Sequence, residues 1–141
     1  QAKKNRTESY FSDFINKDMI GMLGYHYGFA GFNADVDYLN KNFKITLTDS
    51  HQSNIQMVLN GRGDIAVVSK AYLQYYFLHH PQDKSQLLVS QKNDQIYRHT
   101  VLLRKGKPHI NIKDINRLLY RLKTKGVLQK LWTKHGIEKR L

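Results

Sequence analysis

Cysteine is absent from the 141 residues. That excludes disulfides, thiolate metal sites and a cysteine nucleophile, and it leaves the compartment open. No apolar run approaches the roughly 18–20 residues needed to cross a bilayer. The opening stretch, Gln1 to Phe11, is too polar and basic to be a signal peptide, as is the start of a mature exported protein after removal of its leader. Gly-x-Ser-x-Gly, P-loop and His-Glu-x-x-His motifs are also missing, as is any Ser-His-Asp spacing. Nothing therefore points to an enzyme, and no cofactor is expected. His79-His80 does not restore a metal site: adjacent side chains on a helix diverge by about 100°, and no third ligand clusters with them.

Acidic residues are scarce too. The chain has 23 Lys and Arg against 11 Asp and Glu, a net charge of +12, which raises nucleic acid or an anionic membrane as a partner. The excess is local. Residues 104–141 carry 12 basic and 2 acidic residues, whereas 23–103 carry 7 and 6. The basic character belongs to the C-terminal helices. No aromatic platform or recognition-helix pattern accompanies it, so a solvated helix face accounts for it and nucleic acid is not the expected partner.

What is present is an alternation of strands and helices. Met19–Leu23 reads as a short buried strand, followed by a glycine-bounded turn, Gly24-Tyr25-His26-Tyr27-Gly28. The spacing predicts a helix over 32–42 with Asn33 as N-cap. An alternating strand over 43–48 follows. A helix over 49–61 comes next, capped by Asp49 or Ser50 and ended by Gly61. The continuous apolar run over 64–69 suits a strand covered on both faces. A helix over 70–80 stops before Pro81. This order is the signature of a wound, parallel α/β sheet. Further strands are expected over 86–90 and 95–105. Two helices close the chain, with Ile112, Ile115, Leu118, Leu119 and Leu122 on one face of the first. Residues 1–17 form an N-terminal arm or linker, 18–95 an α/β lobe, and 96–141 a returning strand with the basic helix pair.

Arg62-Gly63-Asp64 has the form of an adhesion tripeptide, but it lies in a short helix-to-strand connection rather than at a displayed loop tip. Asp64 is expected to satisfy backbone donors at the mouth of that turn. Ligands of wound sheets bind at the carboxyl ends of the strands. Tyr25, His26, Tyr27 and Gly28 follow the first strand, and are either a ligand loop or a tight turn with surface tyrosines. Ser50 and Ser53 open the helix after the second strand. They supply more hydroxyls than one N-cap needs. Ser69 stands at the end of the third.

Three segments in order resemble the bacterial extracellular solute-binding proteins of type II, in particular the amino-acid-transporter-associated family 3. They are "MIGMLGYHYGF" (19–29), "MVLNGRGDIAVVSKAYL" (57–73) and "LLYRLKTKGVLQKLWTKHGI" (118–137). The resemblance implies a periplasmic-binding-protein-like lobe, three-layered αβα with a mostly parallel sheet. It implies a non-catalytic periplasmic protein whose two lobes close on a small ligand and are presented to a membrane permease or sensor. The chain corresponds to the second lobe and the returning segment, with the first lobe expected to be missing. The C-terminal helices would then present an apolar face for self-association. In this family the loop mapping to Tyr25–Gly28 holds a ligand carboxylate through backbone N–H groups. The hydroxyl-bearing helix start maps near Ser50 and Ser53. Ser69 stands where an Asp usually holds an α-amino group, and a neutral Ser cannot pair with an ammonium. An amino acid, an organic acid or another small polar metabolite is the ligand class implied. The alternatives are a basic interaction or nucleic-acid-binding module, using Arg117, Arg121, Lys125 and Lys130, and the effector-sensing domain of a regulator.

Overall fold

The computed structural model describes residues 6–97, 101–106 and 110–135, with only the backbone at 14. The chain divides into two compact units, Gln1–Ile96 and Tyr97–Leu141.

The first unit is built on a parallel sheet of order β2-β1-β3. Strand β1 (Met19–Met22) is central. Met19, Ile20 and Gly21 are buried, as the unbroken apolar run requires. Strand β2 (Ile45–Thr48) pairs along all of β1, from Met19 with Ile45 to Met22 with Thr48. Strand β3 (Ile65–Ala66) pairs on the other side, Met19 with Ile65 and Ile20 with Ala66. Helix α1 (Val36–Asn42) joins β1 to β2, α2 (His51–Leu59) joins β2 to β3, and α3 (Lys70–His79) follows β3. The chain thus winds outward from β1 to β2, then crosses back to place β3 on the far side.

The core gathers Tyr27, Ala30 and Leu39, with Phe29, Phe43, Ile45, Leu47 and Val67 packed around them. Tyr27 stacks on Phe29 with centroids 5.1 Å apart, and Phe29 meets Phe43 edge-on at 5.1 Å. Ile55, Val58 and Ile65 are also buried. Ile55 and Val58, three apart on α2, form one inward stripe, and Ile65 lies in β3.

Local chemistry moved several boundaries. The helix expected from 32 starts at Val36, because a short 3-10 turn, Gly28–Ala30, ends at Gly31 (φ 61°) and Phe32 is left-handed too (φ 62°). Asp35, not Asn33, is its N-cap, accepting from the Tyr38 amide at 2.7 Å; Asn33 instead receives the Asp35 amide at 2.9 Å. Strand β3 is shorter than the apolar run, since Ser69 is already the N-cap of α3. The strand expected over 86–90 does not form. A 3-10 stretch, Pro81–Gln86, leads into extended chain held by side-chain contacts. Residues 95–97 and 101–105 are also non-strand, and 98–100 lie outside the described residues.

Two sets of contacts fasten the ends of this unit. In the 3-10 stretch Glu8–Asn16, the Tyr10 hydroxyl donates to Asp64 Oδ1 at 2.8 Å. Arg6 and Lys17 lie 4.0 and 4.6 Å from the Tyr10 ring centroid. The Asp64 carboxyl sits below its ordinary range, chiefly through the Tyr10 hydroxyl, then through the Asp18 backbone amide and the nearby cations. The Arg-Gly-Asp acid is therefore an internal fastening point. At the other end, Tyr76 receives Gln56 Nε2 at 2.6 Å and donates to Asp83 Oδ2 at 2.6 Å, which ties α2 and α3 to the 3-10 stretch. Burial and the Asp83 carboxylate push the Tyr76 hydroxyl up to about 12.

In the second unit, α4 (Ile112–Thr124) opens with a reciprocal Asn111–Asp114 capping box. Gly126, at φ 70°, turns the chain into α5 (Val127–Lys134). No residue of either helix is buried, and Ile112, Leu118, Leu119 and Leu131 are exposed.

The Tyr76 hydroxyl is the only link between Gln56 and Asp83 among the hydrogen bonds described. Tyr76→Phe should lower the unfolding free energy by about 1–3 kcal/mol, the cost of leaving buried polar groups unpaired. Urea denaturation checks this; an unchanged midpoint would show that the network adds nothing.

Candidate functional site

The carboxyl ends of β1, β2 and β3 lie along one edge of the parallel sheet. The order 2-1-3 reverses direction between β1 and β3, and such a reversal leaves a crevice at the strand ends where open α/β sheets take their ligands. The connection after β1 and the first turns of α2 and α3 each send an aromatic ring to this edge. Tyr25, after β1, meets His51 edge-on with centroids 5.6 Å apart. His51, the first residue of α2, lies 5.1 Å from Tyr72 in the first turn of α3. Tyr72 continues to Tyr75 at 6.3 Å, and Tyr75 to His79 at 4.3 Å.

Local sequence explains the placement. Ser50 caps α2 by accepting the Ser53 amide at 3.3 Å, so the residue after it, His51, begins the helix at the strand end. Ser69 does the same for α3 through the Tyr72 amide at 3.3 Å. Burial holds the His51 imidazole below its ordinary value of 6.5. It is therefore neutral at neutral pH, a hydrogen-bonding group rather than a cation.

Two polar atoms in the first turns of α2 are buried without a hydrogen-bond partner, His51 Nδ1 and Asn54 Nδ2. Positions 51 and 54 share a helix face. Asn54 is fully buried, and its Oδ1 accepts the Thr48 hydroxyl at the end of β2. Buried polar atoms of this kind are uncommon in folded proteins, and each needs a reason.

The expected site residues do not all converge. Tyr25 reaches the ring cluster. Tyr27 does not: it is 1% exposed, and its hydroxyl receives the Met22 amide at 2.5 Å and donates to Met22 O at 3.2 Å. Gly21 makes room, since a Cβ there would stand 2.8 Å from that hydroxyl. The His26 carbonyl accepts from Gln95 Nε2. The Gly28 amide donates to Asp94 Oδ2 at 2.8 Å and the neighbouring Phe29 amide to Asp94 Oδ1 at 2.9 Å. Ser50 and Ser69 spend an oxygen on capping, and Ser53 is exposed in the first turn of α2. His51 and Tyr72, which meet Tyr25 in the ring cluster, were not among the residues expected there. The available signal was their place, one and three residues past a capping serine at a strand end.

A parallel sheet of this order, with its rings and helix starts gathered at the strand ends, defines an α/β lobe of the periplasmic-binding-protein kind. A family model described as "ABC transporter, phosphonate, periplasmic substrate-binding protein" matches residues 23–139, and the chain belongs to that family, one of the type II periplasmic binding proteins. The match does not extend to the amino-acid-associated class suggested by the sequence resemblance. No curated protein and no solved structure matches the chain.

The imidazole makes a pH prediction. As pH falls below 6.5, the unfolded chain takes up a proton at His51 that the folded chain resists, because burial lowers the folded value. Stability at His51 is thus present above 6.5 and lost between 6.5 and the lower folded value. His51→Phe keeps a ring and removes the proton site. Its stability should fall less than that of the wild type between pH 7 and pH 5 in matched denaturation curves. Equal losses would show that His51 does not carry the effect.

Proposed function

We propose that this chain is the ligand-binding part of a periplasmic substrate-binding protein that serves an ABC transporter, and that its ligand is a small phosphonate or a related tetrahedral oxyanion. The observation that carries this reading is the meeting of Tyr25, after β1, with His51 and Tyr72, in the first turns of α2 and α3, at the reversal of strand order. Family membership supplies the ligand class and the membrane partner.

The chemistry agrees with an anion. Ser69 stands where the resembled amino-acid binders place a carboxylate, and a carboxylate there would repel a phosphonate. The cap and first turn of α2 supply two serines and an uncharged imidazole, which offer hydrogen bonds to oxygen with no acid among them; the neighbouring Asp49 is exposed. Its amino-terminal end adds a favourable field for an anion. The role of this surface is binding, with no bond made or broken. The partner is a transporter that recognises the loaded protein.

Calorimetry with methylphosphonate, inorganic phosphate, acetate and glycine tests the reading. Methylphosphonate should bind, and His51→Ala and Tyr72→Ala should each weaken it at least about tenfold, the effect of losing about 1.4 kcal/mol of contact. Ser53→Ala separates ligand contact from helix capping, because Ser53 supplies a capped amide and not the capping oxygen. It should weaken binding with little change in stability. Binding of glycine but not of methylphosphonate would overturn the ligand class.

A further inference from the structure

We infer that Asp94 is a built-in competitor of the anionic ligand, holding the loop after β1 in a ligand-free arrangement until an anion displaces it. The inference rests on the binding role proposed above, and it concerns a contact that role does not require.

The loop that should offer backbone N–H groups to a ligand already gives two of them away. The Gly28 and Phe29 amides hold the two oxygens of the Asp94 carboxylate at 2.8 and 2.9 Å. A carboxylate on two consecutive amides is a charge-assisted, two-pronged contact. Gly28 permits it: a Cβ there would stand 2.4 Å from the Asp94 carbonyl oxygen, too close for any other residue without moving one of the two segments. The next residue adds a second hold, Gln95 Nε2 donating to the His26 carbonyl. Three of the four residues 26–29, His26, Gly28 and Phe29, are thus clasped by two residues from far along the chain, with Tyr27 buried among them.

The clasp is attached to more than the loop. Four residues before Asp94, the Ser90 hydroxyl donates to Glu8 at 2.7 Å, and the Gln91 amide donates to the same carboxylate at 3.2 Å. Segment 90–95 is therefore a strap from the N-terminal 3-10 stretch to the loop beside Tyr25. Its carboxylate is exposed to solvent, so it is held by two hydrogen bonds rather than by burial, and a stronger anion can replace it.

Competition of this kind lowers the apparent affinity of every anion that needs these amides by the same factor, so a weak carboxylate is left unbound while a stronger phosphonate still binds. A free carboxylate would exchange like for like against a tethered one whose effective concentration is of millimolar order. A phosphonate resembles a phosphate group in bringing three acceptor oxygens and more than one negative charge. If Asp94 leaves the loop open in about one molecule in ten, apparent affinity is reduced about tenfold.

The test uses the full chain and methylphosphonate, with acetate as the second probe. Affinity is read by calorimetry, and the Gly28, Phe29 and His51 signals by two-dimensional NMR. Asp94→Asn keeps an oxygen that can accept one amide and serves beside Asp94→Ala in case the latter unfolds. Asp49→Asn removes the same charge from an exposed position next to Ser50 without touching the clasp. The inference expects Asp94→Asn to bind methylphosphonate about tenfold more tightly, to gain by a similar factor for acetate, and to exceed the gain from Asp49→Asn. In the wild type, methylphosphonate should shift the Gly28 and Phe29 amides. Equal gains from the two variants, or none, with the His51 signals still responding to methylphosphonate, would overturn the competitor and leave the binding role standing. No response at His51, Gly28 or Phe29 in either protein would overturn the binding role and the competitor with it.

Discussion

A tyrosine hydroxyl closing on a glycine of the central strand organises the first unit. Strand β1 pairs on both sides and is buried along most of its length, so its free backbone groups at the carboxyl end must be met from nearby. Tyr27 meets them. Its hydroxyl takes the Met22 amide and gives to the Met22 carbonyl, in space that Gly21 leaves open. The chain leaving β1 is therefore folded back over the end of its own strand. Tyr25 is left at the edge, and Gly28 and Phe29 are turned toward Asp94.

The same folding-back joins core to site. Tyr27 stacks on Phe29, which packs on Phe43 at the entry to β2. A change in the Asp94 contact at the Phe29 amide is felt by a residue of that stack itself. Glu8 and Asp64 extend the connection to the N-terminal stretch, one through segment 90–91 and the other through Tyr10. A small lobe with only a few fully buried side chains thus depends on exposed and half-buried polar contacts to hold its loops. Such contacts exchange readily with ligand or water, because each is worth little net.

Much of the fold was legible because it is local. The order of strands and helices from β1 to α3 follows from short apolar runs separated by capping serines and glycines. The cap at Ser50 acts over three residues and appears where the pattern puts it, whereas Ser69, read as a strand end, caps α3. The failures were of two kinds. Leu87 to Val89 are apolar but find no neighbouring strand, and an apolar run without a partner is not a strand. Phe32 has a left-handed backbone that its residue type does not announce, which delayed α1 and moved the cap to Asp35.

The site divides along the same line. Tyr25, Ser50, Ser53 and Ser69 could be placed near the strand ends from the sequence, because each follows or ends a strand that periodicity reveals. Tyr27 and Gly28 could be named as well, but not what they do. Whether a tyrosine faces the ligand edge or the core depends on the missing side chain of Gly21 and on how the loop closes. That the Gly28 amide is occupied depends on an aspartate 66 residues away. The sequence by itself determined the alternation of elements and the residues at each strand end, because those are set by neighbours a few positions apart. Only the tertiary structure decided which rings meet, which tyrosine is buried and which carboxylate reaches the loop. Those are contacts between segments that local periodicity does not relate.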